Sequence, residues 1–264
     1  LHPAQTGFLM GPATAAGTAG SLHWSRQACL PGALRLSRAI LATARAVVDL
    51  KAGRDRSRLL RSWSLRILRA LRIEVVVEGT LPPTAPLWAA NHLSWLDPLL
   101  LFSLRTSGVL AKQEVAGYPL IGPAASRAGL RFVDREEPLS RAAALAAMTA
   151  ELRQGRDFLL FPEGTTTRGL QLGRVHPGGL LAAHRLGIST LPLRLDSPAA
   201  HYPWTGQETL LPHLRALAEG PPIRVQVRPG PCMHPRDYPD PFEWIAVLRR
   251  HLAPASPTFL EPPI

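Results

Sequence analysis

Residues 86–104 read Pro86-Leu87-Trp88-Ala89-Ala90, then Asn91-His92-Leu93-Ser94-Trp95-Leu96, then Asp97-Pro98-Leu99-Leu100-Leu101-Phe102-Ser103-Leu104. The first five are a short apolar run of strand length, and the last group is a helical run opened by Asp-Pro, a favourable pair for a helix start. A buried strand followed through a polar loop by a helix is the unit from which parallel sheets are built. The same alternation recurs along the chain. Candidate strands are Ile73–Glu78, Pro86–Ala90, Gly108–Ala111, Leu130–Val133, Asp157–Phe161, Thr190–Leu195 and Ile223–Val227. Candidate helices are Pro98–Leu104, Leu120–Gly129, Leu139–Gln154, Gly178–Leu186 and Pro241–Leu252. The pattern predicts an α/β fold: a mixed, largely parallel sheet flanked by helices over residues 73–252. Asp196–Pro222, rich in Pro, His and Trp, reads as a long irregular loop, and 253–264 as a loose Pro-rich tail.

Upstream of the sheet the composition shifts. Residues 1–32 are rich in Gly, Ala and Thr and read as a flexible leader. Residues 33–72 contain two amphipathic runs. In Ala33–Leu50 the positions Leu36, Ile40, Ala44, Val47 and Val48 form an apolar stripe, with Arg35, Arg38 and Arg45 elsewhere on the surface. In Arg58–Arg72 the stripe is Leu60, Trp63, Ile67, Leu68 and Leu71. An N-terminal amphipathic helical hairpin is expected.

Charge follows the same division. Residues 1–72 hold 12 Lys and Arg against 2 acids, a balance of 12 − 2 = +10, while the remaining 192 carry 18 basic and 17 acidic residues, or +1. A basic segment suits nucleic acid or an anionic membrane surface. The apolar stripes, one with a Trp, favour the membrane interface, where each basic residue near anionic lipid is worth about 1 kcal/mol. The alternative is a hairpin packed on the main domain with solvated arginines. No run of 18 apolar residues is present, and two cysteines, Cys29 and Cys232, with no CxxC spacing suggest neither disulfide framework nor zinc site.

Two loops carry candidate chemistry. His92 follows the second strand, where an α/β sheet tends to place its active site, with Asp97 five residues on. A His held in one tautomer by a carboxylate is a competent general base. Asp97 also reads as a helix cap, and His92 alone as a satisfied loop histidine. No GxSxG nucleophile elbow occurs. A nucleophile belonging to the substrate, a hydroxyl deprotonated as it attacks a carbonyl, resolves that absence. The second loop is Phe161-Pro162-Glu163-Gly164-Thr165-Thr166-Thr167-Arg168-Gly169. Its Gly and small hydroxyl residues open backbone amides to an anion, which Arg168 can pair with; the alternative is a tight turn capped by Thr. A third segment, Phe132-Val133-Asp134-Arg135, closes a short strand with an Arg.

The order of NHLSWLD, KQEVAGYPLIGPAASRAGLRFVDR, FPEGTTTRG and Leu191-Pro192-Leu193 resembles the four successive blocks of the glycerolipid acyltransferase family, typified by bacterial 1-acylglycerol-3-phosphate acyltransferase. The resemblance covers about residues 73–230. It implies that a fatty acyl group moves from acyl-CoA or acyl-carrier protein to the free hydroxyl of a lysophospholipid-type acceptor. By position it implies His92 as base and Asp97 as the carboxylate that orients it. It further implies Arg135 on the acceptor's phosphate, Glu163 and Gly164, with Thr165 and Arg168 beside them, on the acceptor, and Pro192 at the donor side or shaping the pocket. No metal or redox cofactor is implied, and the enzyme is placed peripherally on the cytoplasmic face of the membrane. One departure concerns the acceptor. Phosphatidate-forming members commonly read FPEGTRS, whereas here Thr166 stands at the Arg position and Arg168 lies two residues later. The FPEGTTT form is similar to members acting on other lysolipids, such as lyso-ornithine lipid. An esterase or thioesterase using the same His–Asp pair, and a non-catalytic membrane-binding protein, are the competing readings.

Overall fold

A computed structural model describes residues 30–52, 55–105, 108–117, 125–126, 129–205 and 208–254. Most of the expected leader 1–32, of the expected helix Leu120–Gly129 and of the tail 253–264 lies outside the described residues, as does Cys29. The strands are β1 (Ile73–Val77), β2 (Leu87–Ala90), β3 (Gly108–Lys112), β4 (Leu130–Val133), β5 (Phe158–Leu160), β6 (Thr190–Asp196) and β7 (Ile223–Pro229). The α-helices are α1 (Gly32–Lys51), α2 (Arg56–Ala70), α3 (Asp97–Leu104), α4 (Pro138–Arg153), α5 (Gly178–Arg185), α6 (Leu210–Glu219) and α7 (Pro241–Leu252).

The sheet order is β1-β7-β6-β2-β5-β3-β4. β2 pairs in parallel with β5 and β6, and β3 pairs in parallel with β5 and β4. β7 runs antiparallel to β6, and β1 is parallel to β7. The expected mixed, largely parallel sheet is therefore present. Side chains alternate faces along a strand, and β2 shows the result: Trp88 and Ala90 join the core that includes α2 and α3, while Leu87 and Ala89 join the core built with α4, α5 and α7. All four are buried, which places β2 inside a three-layer sandwich.

Three expectations are corrected. Leu210–Glu219 is a helix and not loop: it buries His213, Leu217 and Ala218 on one side, and Pro212 lies in its first turn, where the missing N–H breaks no helical bond. Arg35 is buried and not on the surface; its guanidinium donates to the carbonyls of Ala218 at 2.8 Å and Gly220 at 3.4 Å, closing the carboxyl end of α6. The apolar stripe of α2 does not face outward: Leu60, Ile67, Leu68 and Leu71 are buried, and Trp63 donates its Nε1–H to Thr43 Oγ1 of α1 at 3.2 Å. Apolar positions on α1 are too many for one stripe. Leu36, Ala39 and Ala42 pack inward, while Ile40, Leu41 and Val48 remain exposed.

Candidate active site

The strand–loop–helix unit at β2 sets the site. Asn91 ends the strand by gripping β6 twice, donating from Nδ2 to Leu195 O at 3.0 Å and accepting from Leu195 N at 2.7 Å. The next residue, His92, leaves the carboxyl edge of the sheet with its ring stacked on Phe161, centroids 4.0 Å apart and planes 18° apart. Its Nδ1 lies 2.8 Å from Asp97 Oδ2. A carboxylate oxygen accepts only, so neutral His92 carries its proton on Nδ1 and presents the Nε2 lone pair. Among the described residues nothing takes up that nitrogen.

Asp97 does not cap its own helix. Its Oδ2 turns back to accept the amides of Leu93 at 2.6 Å and Ser94 at 2.9 Å as well as the imidazole, and its Oδ1 accepts the Tyr202 hydroxyl at 2.6 Å. With no exposed surface and four donors, the carboxylate is fixed in one orientation. A buried charge is tolerable only with such a full set of partners.

Glu163 holds the loop from the other side. Phe161-Pro162-Glu163-Gly164 forms a turn in which Gly164 N donates to Phe161 O at 3.0 Å, and Gly164 sits at φ 67°, a region that favours glycine. Glu163 Oε1 accepts His92 N at 2.9 Å and Oε2 accepts Gly173 N at 2.7 Å. Burial raises the Glu163 pKa and the two amides oppose that shift. A side chain on Gly173 would meet Oε2 at 2.8 Å, so a larger residue there would displace the Glu163 carboxylate. Thr167 N then donates to His92 O at 2.8 Å, tying the two loops together.

The sequence and the fold are similar to those of known proteins. A model of the Acyltransferase family matches residues 72–196. The lyso-ornithine lipid O-acyltransferase of Rhizobium meliloti is 31% identical over 202 residues, 68% of this chain and 67% of that protein. The chain belongs to the acyltransferase family. The lyso-ornithine lipid O-acyltransferase of Pseudomonas aeruginosa is 38% identical over 170 residues, 62% of this chain and 66% of that protein. The 1-acyl-sn-glycerol-3-phosphate acyltransferase of Neisseria meningitidis is 30% identical over 62% of this chain. The matched region spans 66% and 64% of those last two proteins, just under two thirds. The fold is similar to the crystal structure of the 1-acyl-sn-glycerophosphate acyltransferase PlsC from Thermotoga maritima, with TM-score 0.54 and 21% identity over 83% of this chain and 96% of that one.

Against this acyltransferase frame, the structure brings His92, Asp97, Glu163 and Gly164 together at the ends of β2 and β5. Glu163 is buried, with both oxygens on backbone amides, whereas Thr165 and Arg168 are exposed on the loop beyond it. Arg135 lies at the same sheet edge but past β4, separated from β2 by β5 and β3. Three strand spacings of about 4.8 Å put it about 14 Å to the side.

Sequence reasoning missed the cover over the His92 loop. Trp204 N donates to Leu93 O at 2.8 Å, and the segment carrying it also supplies Tyr202. Trp95 Nε1–H donates to His213 Nδ1 at 2.9 Å, so the His213 proton is on Nε2, 3.2 Å from His201 O. Burial lowers the His213 pKa, opposed by Glu208. The unfolded chain therefore takes this proton first. Stability due to neutral His213 is complete above about pH 6.5 and is lost as pH falls below it. We expect the melting temperature to drop between pH 7.5 and 5.5 in wild type and to drop less in His213→Gln, which keeps a donor for His201 O without titrating. Equal drops in the two proteins would contradict this.

Proposed function

We propose that this chain transfers a fatty acyl group from a thioester, acyl-CoA or acyl-carrier protein, to the free hydroxyl of a lysolipid, with His92 as general base. The observation that carries this reading is the His92 ring fixed through Nδ1 on a four-donor Asp97 with Nε2 left open. Nε2 takes the acceptor's hydroxyl proton as that oxygen attacks the thioester carbonyl. Collapse of the tetrahedral intermediate forms the ester and breaks the C–S bond, and the imidazolium, paired with Asp97, gives its proton to the departing thiolate. Water as acceptor would make the same pair a hydrolase, but the family membership favours transfer.

For the acceptor, two observations favour lyso-ornithine lipid over lysophosphatidate. Thr166 stands where an arginine would meet a phosphate, and over a matched length that is nearly the same the Pseudomonas aeruginosa lyso-ornithine lipid O-acyltransferase is 38% identical against 30% for the Neisseria meningitidis 1-acyl-sn-glycerol-3-phosphate acyltransferase. Arginine's rigid fork does not tolerate a two-residue displacement in bidentate phosphate recognition. The enzyme is proposed to work peripherally on the anionic cytoplasmic face of the membrane. None of the described helices is long and apolar enough to cross a bilayer. Leu34, Leu41 and Val48, spaced by seven residues on α1, are 42%, 68% and 59% exposed and give the basic hairpin an apolar outer edge.

The test is transfer by purified protein from a labelled acyl thioester to a panel of lysolipids, with products resolved by mass spectrometry. Acylated ornithine lipid should accumulate faster than phosphatidate and only when lysolipid is added. Free fatty acid formed at the same rate without acceptor would identify a hydrolase instead.

A further inference from the structure

The hairpin contains a second feature that acyl transfer does not use. Between α1 and α2 lies a cavity of about 380 Å³ whose walls carry Arg38, Arg45, Arg66, Arg69 and Arg72, with no Asp or Glu among the lining residues. Arg45 is held by Asp49 at 3.0 Å. The exposed guanidinium groups of Arg38 and Arg66 make no hydrogen bond or ion pair with any described residue. Arg35 forms the inner wall. It is 7% exposed, and its Nε is buried without a partner.

Like charges gathered in one cavity repel, and a buried cationic N–H without an acceptor is costly. A bound anion relieves both. The rest of the lining is apolar, Leu30, Leu41, Ala42 and Ala70, and continues into the exposed Ile40 and Leu41 edge of α1. The ligand that matches is therefore an anion with an apolar continuation.

Its location follows from topology. β6 is parallel to β2, β7 is antiparallel to β6, and Ile73 pairs with Ile223 at the start of both β1 and β7. Arg72, whose carbonyl accepts Ile223 N at 3.0 Å, thus stands at the same sheet edge as His92, with β7 and β6 between β1 and β2.

We propose that the α1–α2 groove binds one anionic phospholipid beside the active-site mouth, with the phosphate held by Arg35, Arg38 and Arg66 and the first methylenes of its chains on Leu41 and Ala70. This deepens the membrane reading above, on which it rests for orientation, by replacing general attraction with a one-to-one site. The bound lipid would set the height of His92 on the leaflet, since Arg72 at the edge of the groove stands about three strand spacings of about 4.8 Å from β2.

The experiment is calorimetric titration of the full chain with dihexanoyl phosphatidylglycerol below its micelle concentration, with dihexanoyl phosphatidylcholine, coenzyme A and inorganic phosphate as comparison probes. Phosphatidylglycerol should bind once per chain and raise the melting temperature, and phosphatidylcholine should do neither. R38E/R66E should weaken that binding at least tenfold, while the charge-matched R249E/R250E on α7 leaves it unchanged. Should R38E/R66E not fold, the melting-temperature rise in wild type given by phosphatidylglycerol, and not by the other three probes, decides the matter. Equal loss in both variants, equal binding of the two lipids, or displacement of phosphatidylglycerol by coenzyme A or phosphate would overturn the proposal. Binding is read without turnover, so failure of the acyl-transfer reading leaves this result distinguishable.

Discussion

His92→Ala should lower acyl transfer by about 10²–10⁴, the usual contribution of a positioned general base, while the protein remains folded. The ring supports little else. Its removal forfeits the stacking on Phe161, worth about 0.5–1.5 kcal/mol, and one of four hydrogen bonds to Asp97. The backbone of residue 92 stays anchored through Glu163, which accepts its amide, and Thr167, which donates to its carbonyl. Turnover on thioester and lysolipid, together with a thermal melt, checks both halves. A rate near wild type would remove the mechanism, and a collapse of the fold would show that the ring is structural.

Asp97 should separate chemistry from folding. In Asp97→Asn the amide oxygen can occupy the Oδ2 position and accept from His92, Leu93 and Ser94, while its NH₂ donates to the Tyr202 oxygen. Most of the stability should survive. The negative charge that stabilises the imidazolium is gone, and the rate should fall by about 10² or more. In Asp97→Ala the buried amides of Leu93 and Ser94 and the Tyr202 hydroxyl all lose their acceptor, at about 1–3 kcal/mol each, which approaches the whole stability of an ordinary domain. The expected pair is a folded, nearly inactive Asn variant and an Ala variant that melts far lower or fails to accumulate. Comparable melts for the two would contradict the four-donor account of this carboxylate.

What the sequence disclosed depended on how local each feature is. The strand–loop–helix run at residues 86–104 exposed the sheet class and the His92–Asp97 spacing, because strand, loop and helix signals all lie within one short segment. The turn at Phe161-Pro162-Glu163-Gly164 was legible for the same reason. Tyr202 was not, since it reaches Asp97 from 105 residues away in a segment of Pro, His and Trp without periodicity. Helix α6 was hidden by Pro212, whose place in a first turn is harmless but reads as a breaker. Arg35 looked like a solvated cation because its partners, the last carbonyls of α6, belong to a helix the sequence pattern had concealed. In α2 the amphipathic stripe was visible, but amphipathicity does not say whether the apolar side meets lipid or protein. Packing against α1, α3 and β1 decides that, and it decides for protein.

The solvent deuterium isotope effect on kcat/KM for the lysolipid, measured at saturating thioester on wild type and on His92→Gln, tests the central claim most directly. Wild type should show a normal effect, because the acceptor's proton moves to Nε2 as its oxygen attacks, and the residual rate of the variant, lower by about 10²–10⁴, should lack it. An unchanged effect in His92→Gln, at a comparable rate, would mean that the proton leaves the acceptor by another route.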